Sequence, residues 1–162
     1  MRPPVARGAR TMEHGAMNEH EPRLQWLTIE DVEDLEAASH LFDGPVRREW
    51  AVRFLDLPTH HLCLGWIDGR PAGFVSGMEI THPDKGTEML LYELGVDEAV
   101  RGRGLGTALA RALAARAKER GCYDMWTLTD DDNAAARATY RTAGAATEET
   151  DLIMPLWSLD VG

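Results

Sequence analysis

The chain has 162 residues, 44% of them hydrophobic and 27% charged, which suits one globular domain with a substantial core and excludes a disordered composition. Its formal net charge of −10 and sequence pI near 5.0 disfavour non-specific nucleic-acid binding and make cationic small molecules or basic peptides the more natural partners. No apolar run is long enough to span a bilayer, the N-terminus lacks the apolar core of a secretory signal, and Cys63 and Cys122 are too few for a disulfide framework, so the expectation is a cytoplasmic protein with buried, reduced thiols and no membrane or nucleic-acid partner.

Residues 1–22 mix proline, glycine, arginine and polar residues without periodicity and read as a flexible leader, with Met12 and Met17 as alternative starts; residues 23–162 read as a single domain. Residues 23–27 form a short strand candidate. Thr28-Ile29-Glu30-Asp31 resembles a capping box opening a helix, with Val32, Leu35 and Phe42 near one face and the carboxylates outside, favoured by the helix dipole. Asp43-Gly44-Pro45 ends that helix and a second runs from about 46 to 57, before Pro58. Residues 61–67, a turn at Asp68-Gly69-Arg70-Pro71, and residues 72–80 predict an antiparallel hairpin. His60-His61 has no further ligand at metal-binding spacing, and no metal is expected.

A polar loop over 81–86 leads to the apolar, β-prone run 89–96, then to Arg101-Gly102-Arg103-Gly104-Leu105-Gly106, and then to an amphipathic helix in which Leu105, Leu109, Leu113 and Ala117 recur at one spacing. Strand, glycine-rich turn and helix together make a phosphate site. Glycine lets the backbone approach a ligand, the first amides of the helix have no intrahelical partner and sit at the positive end of its dipole, and Arg101 and Arg103 add charge of the right sign. The loop lacks the lysine of a Walker pattern, and its G-x-G-x-G spacing departs from the dinucleotide G-x-G-x-x-G. Gly121 marks the helix C-cap. A strand over 123–129 follows, Asp130-Asp131-Asp132-Asn133 leads into a helix ending at Ala143 before Gly144, and a last strand covers 150–157 with Pro155 marking an edge or bulge.

Arg101, Gly104 and Gly106 fit the pattern Arg/Gln-x-x-Gly-x-Gly/Ala, Leu94 and Val96 fit the Leu-x-Val that precedes it, and Asn133, Ala136, Tyr140 and Gly144 fit Asn-x-x-Ala-x-x-x-Tyr-x-x-x-Gly. In these patterns, in this order, the chain resembles the GCN5-related N-acetyltransferase family. The resemblance implies an α/β (α+β) fold of order β-α-α-β-β-β-α-β-α-β, with a mixed, mostly antiparallel sheet whose fourth and fifth strands splay apart. It also implies acetyl-CoA as co-substrate, its diphosphate held by the amides around Arg101, Gly102, Arg103, Gly104, Leu105, Gly106 and Thr107. The pantetheine arm would lie along Leu94, Gly95 and Val96, with the Val96 N–H as oxyanion donor. Gly95 reads either as a point of close approach or as a bulge.

An alkyl ammonium is almost wholly protonated at neutral pH, so a base must act before attack. Glu93 is the candidate base, directly or through water, against the alternative of an outward-facing strand charge. Tyr140 is the candidate acid for the leaving sulfur, against core packing, and Asn133 is a pantetheine contact or a helix cap. Tyr92-Glu93-Leu94 and Asp130, Asp131 and Asp132 are similar to the aminoglycoside 3-N-acetyltransferase branch, with Glu93 where that branch has aspartate and Ala145 where the wider family has phenylalanine. The expected acceptor is a small cationic amine, with an aminoglycoside in first place. Tyr92, Asp43 and the three aspartates are then substrate contacts, Asp43 and Glu49 alternatively plain surface charges, and Asp130 to Asp132 alternatively a cap and solvated charge run. Peptide, protein or polyamine acetylation and a non-catalytic CoA-binding regulator are the rival readings, and a homodimer stays open as the assembly.

Overall fold

Three consecutive strands, the first two buried continuously along their middles, build an antiparallel meander, and the computed structural model, which describes residues 22–146, Pro155 and Trp157, places it at the centre of the fold. The strands are β1 (Arg23–Trp26), β2 (His60–Ile67), β3 (Arg70–His82), β4 (Gly86–Val96) and β5 (Met125–Trp126), in the spatial order β1-β2-β3-β4-β5. Neighbours are antiparallel except β4 and β5, which run parallel. Asp68 and Gly69 form the two-residue hairpin between β2 and β3, both at positive φ (51° and 74°), the backbone whose twist matches that of the flanking strands.

Helices cover both faces. On one, α1 (Val32–Ala37) and α2 (Arg48–Asp56) pack Val32, Leu35, Ala38 and Ala51 against Leu62, Leu64 and Phe74. On the other, α3 (Leu105–Glu119) lays Leu105, Leu109 and Leu113 on Cys63, Val75, Met89 and Leu91, and α4 (Ala134–Ala143) lies beside it. The sheet admits α3 closely because it presents glycine there. A Cβ on Gly65 would stand 2.6 Å from Leu105 Cδ1, and one on Gly77 2.7 Å from Leu113 Cδ1.

The expected element order holds through α4, with local differences. The long first helix is instead a 3-10 turn (Ile29–Asp31), the short α1 and a second 3-10 turn (Ser39–Leu41), so Phe42 lies beyond the helix and stacks on Phe74 at 4.0 Å between ring centroids. Thr28 does open it with a capping box: its N–H donates to Asp31 Oδ2 at 2.7 Å, and that bond, with the Thr28 hydroxyl, holds the Asp31 carboxyl below its usual range. The second helix is trimmed to α2. The strand expected over 123–129 shrinks to β5, for a reason that belongs to the site. Cys63 and Cys122 are free thiols, Cys63 fully buried and pushed up by that burial to about 11. The strand over 150–157, apart from Pro155 and Trp157, and residues 1–21 of the leader lie outside the described residues. Among the described residues no helix is long and apolar enough to cross a membrane, and no group of three or more His, Cys, Asp or Glu could hold a metal ion.

Candidate active site

A slip of register in β4 builds the site. Pairing with β3 runs Phe74↔Gly95, Val75↔Leu94 and Ser76↔Glu93, and then jumps to Gly77↔Leu91, leaving Tyr92 as an extra residue. Side chains alternate along a strand, so an unbroken β4 would send Glu93 to the same face as Leu91, into the core beneath α3. The bulge reverses the phase. Leu94 and Val96 take the α3 face, while Tyr92 and Glu93 both line a cleft on the opposite face, under α1 and α2. A bulge also bends and twists its strand, and β5 stays with β4 only through Met89↔Met125 and Leu90↔Trp126. Beyond that point the two part, and among the described residues 91–96 of β4 have no strand partner on the side away from β3.

The cleft holds about 310 Å³. Its walls are mainly apolar, with Phe42, Val46, Trp50 and Phe54 prominent, and it carries Glu93 beside Ser76, a polar residue buried in the sheet. Burial, and then the nearby charge of Asp43, push the Glu93 carboxyl above the ordinary carboxylate range. Such a group keeps more proton affinity than a surface carboxylate, which suits a base.

On the other side of the parted strands lies the glycine loop. Gly102 and Gly104 adopt φ of 78° and 82°, which residues with a Cβ avoid, and Gly104 is the N-cap of α3 with no side chain bonded to the helix start. The first bond of the helix runs from Ala108 N–H to Gly104 O, so the amides of Leu105, Gly106 and Thr107 precede it. Leu105 is buried, Arg101, Gly102 and Arg103 are exposed, and Gly106 is placed where a Cβ would touch Thr139, Leu94 and Val96 at 3.4–3.5 Å. Gly95 marks close approach, not the bulge: a Cβ there would meet Phe74 Cε1 at 2.6 Å and the Leu41 carbonyl at 3.1 Å. The direction of the Val96 amide follows from its neighbour. Asp97 N–H donates to Ala72 O on the β3 side, so the Val96 N–H points the other way, toward the open edge, where the Val96 carbonyl accepts from Arg101 Nε at 3.2 Å.

From α4, half-buried Tyr140 packs, as Leu94 and Val96 do, against the buried cluster beneath α3. Burial raises its phenol, opposed by a hydrogen bond with Thr127, just past β5. Asn133 caps α4, its Oδ1 accepting from Ala136 N–H at 3.0 Å, which is the structural one of its two expected roles. Asp130, Asp131 and Asp132 are exposed and do not line the cleft. Asp131 pairs with Arg137, while the Asp130 and Asp132 carbonyls accept from Asn133 and Ala134. Thus Tyr92 and Glu93 line one cleft, Asp43 is near enough for its charge to act on Glu93, and the triple aspartate is not part of that cleft. Sequence reasoning missed Ser76, Trp50, Phe54 and Arg47. A serine inside an otherwise apolar and glycine strand run was the available signal for the first; an exposed tryptophan on a helix gives none by itself.

A sequence model of the acetyltransferase (GNAT) family matches residues 26–145. A mycothiol acetyltransferase of Salinispora tropica is 38% identical over 128 residues, 75% of this chain and 40% of that protein. An L-2,4-diaminobutyric acid acetyltransferase of Streptomyces coelicolor is 37% identical over 73 residues, 44% of this chain and 42% of that protein, so the chain spans about two fifths of the curated relatives it matches. Among solved structures, an aminoglycoside acetyltransferase from an uncultured soil metagenomic sample, in complex with sisomicin, superposes with a TM-score of 0.77 over 86% of this chain and 97% of that one at 16% identity, a likeness of fold. With the parted β4 and β5, the uncapped glycine loop and a family match across three quarters of its length, the chain belongs to the acetyltransferase (GNAT) family.

Proposed function

We propose that this acetyltransferase moves an acetyl group from acetyl-CoA, the family's donor, to a primary amine on a small molecule. One observation carries the reading: the bulge at Tyr92 sets Glu93 in a cleft on one face of β4 while the same strand's free edge leads to the uncapped start of α3. The residues present fit the co-substrate. Amides from Leu105 to Thr107, with Arg101 and Arg103, are suited to a diphosphate, and the unpaired edge of β4 through Leu94, Gly95 and Val96 to an extended amide-bearing arm. When bound, acetyl-CoA supplies an acyl group activated as a thioester.

The chain's own residues do the rest. Glu93 accepts a proton from the ammonium, directly or through one water, and frees the amine lone pair. The Val96 N–H donates to the carbonyl oxygen that gathers charge during attack. Tyr140, kept protonated by its raised pKa, delivers its Oη proton toward the departing sulfur. Asp43 shares the acceptor side with Glu93, and the pair of carboxylates favours a cation. Aminoglycosides remain a second reading of the acceptor, supported by the fold likeness to the sisomicin-bound enzyme and by those carboxylates. Thiol release from acetyl-CoA, scored against amines, diamines, aminoglycosides and peptides, tests the proposal. Amine-dependent release is expected, and its absence from a protein that also fails to bind acetyl-CoA by calorimetry overturns it.

A further inference from the structure

The acceptor cleft has a chemical character of its own, and it differs from what a polycationic sugar needs. One carboxylate lines it, that of Glu93, with Asp43 outside the lining but near enough for its charge to raise Glu93. The walls are aromatic and aliphatic: Phe42, held by its stack on Phe74, the half-buried Phe54, and Trp50, whose ring is 52% exposed although it lies on a packed helix. Arg47 also lines the cleft, its charge met by an ion pair with Glu49, and the guanidinium carbons of Arg47 and Arg53 lie 5.7 and 5.6 Å from the Trp50 ring centroid. A volume of about 310 Å³ falls at the small end of ligand pockets, roughly 300–1,000 Å³.

We infer that the acceptor is a primary amine with a single cationic head joined to a flat, apolar body, an arylalkylamine in chemical class, its ammonium at Glu93 and Asp43 and its ring against Trp50 and Phe54. An aminoglycoside would set many hydroxyl and ammonium groups against mainly apolar walls, where Glu93, Ser76 and Tyr92 are too few to partner them. An arylalkylamine brings a single polar group, its ammonium, to Glu93 and buries its ring face among aromatic ones. Because Trp50 is remote from the transferring atoms, its contact acts on the bound acceptor and on the transition state alike, and so appears in KM more than in kcat.

This inference rests on the acetyltransferase reading, and the test separates the two. Acetyl-CoA binding is measured by calorimetry on the full chain. Steady-state thiol release is measured with phenethylamine, with cadaverine as a dication lacking a ring, and with sisomicin. Phenethylamine is expected to show the highest kcat/KM. Trp50→Ala should raise its KM about 10-fold or more with little change in kcat, Trp50→Phe should restore most of it, and neither should alter acetyl-CoA binding. A preference for sisomicin or cadaverine, or a phenethylamine KM indifferent to Trp50→Ala, overturns the inference while the acetyltransferase reading stands. No acetyl-CoA binding and no release with any amine overturns both.

Discussion

Ser76 and Glu93 face one another across β3 and β4, and the register slips by one residue immediately past them. That slip turns Glu93 out of the core and toward the acceptor cleft, where burial and the Asp43 charge raise its carboxyl. Removing a like charge lowers the pKa of its neighbour. In Asp43→Asn, therefore, the Glu93 base form should persist to lower pH, and the acid limb of the kcat/KM profile should move down. A limb that stays in place, or moves up, would show that Asp43 does not act on the proton acceptor.

The same raised carboxyl has a consequence for stability. Its folded-state pKa lies above the unfolded value, so its favourable contribution is present below the unfolded pKa and is lost as pH rises through the folded one. At neutral pH the protein holds a charged group in a site that prefers a neutral one. Glu93→Gln is expected to abolish most turnover yet raise Tm near pH 7, with the gain shrinking below the ordinary carboxylate range. Thermal melts at a neutral and an acid pH check this. A variant less stable than the parent at neutral pH contradicts it.

Tyr140 is placed for the second proton transfer. Its phenol is half-buried beside Thr127 where β4 and β5 have parted, and its raised pKa keeps the hydroxyl protonated through the neutral range. Tyr140→Phe keeps the ring in the core and removes only the proton. It should lower kcat roughly 100-fold, the scale of a lost general acid, with acetyl-CoA affinity preserved. Unchanged turnover would return Tyr140 to packing alone.

Much of this was legible in the chain because the signals are local. The glycines at 102 and 104 announce the positive φ they adopt, Thr28 and Asp31 form the box their spacing suggests, and Leu105, Leu109 and Leu113 mark the buried stripe of α3. What was not legible depends on tertiary pairing. The bulge sits at Tyr92, a residue with no intrinsic preference for it, whereas Gly95 is required by the Phe74 ring on a different strand. The parting of β5 from β4 ends a strand whose own residues, Tyr123 to Thr129, are β-prone or neutral apart from Asp124. The triple aspartate reads from the sequence equally as a substrate cluster or as a cap with a solvated charge run, and only the fold puts it outside the cleft, whose walls come largely from α2 and the segment before it, which carry no motif.

The glycine loop gives a direct test of coenzyme binding. Gly104 holds φ at 82° as the N-cap of α3, and a β-branched residue pays about 1–2 kcal/mol or more in that left-handed region. Gly104→Val should relieve this by turning the first amides of α3 out of line, weakening acetyl-CoA binding measured by calorimetry while leaving the sheet intact by circular dichroism. Full affinity in the folded variant would place the diphosphate elsewhere.

At the opposite end of α3, Arg120 Nε donates to Glu79 Oε1 at 2.6 Å and His61 Nε2 lies 2.7 Å from the same oxygen, with the Glu79 side chain only 8% exposed. Burial alone would raise that carboxyl, but the bonds and charges of Arg120 and His61 outweigh it and hold it below the usual range. A depressed carboxylate contributes stability above its unfolded pKa and loses it as pH falls through the folded one. Arg120→Ala removes the stronger partner and leaves the Glu79 carboxylate with His61 alone, so the variant should unfold at a lower urea concentration than the parent. Because the lost guanidinium no longer pulls the Glu79 pKa down, acid unfolding should also begin at a higher pH than in the parent. Urea denaturation across a pH series reads both effects. Since the ion pair ties the C-terminal end of α3 to the sheet and touches neither the cleft nor the glycine loop, kcat below the unfolding range should stay at the parent value, and a matching loss of turnover there would mean that this end of the helix is coupled to the site.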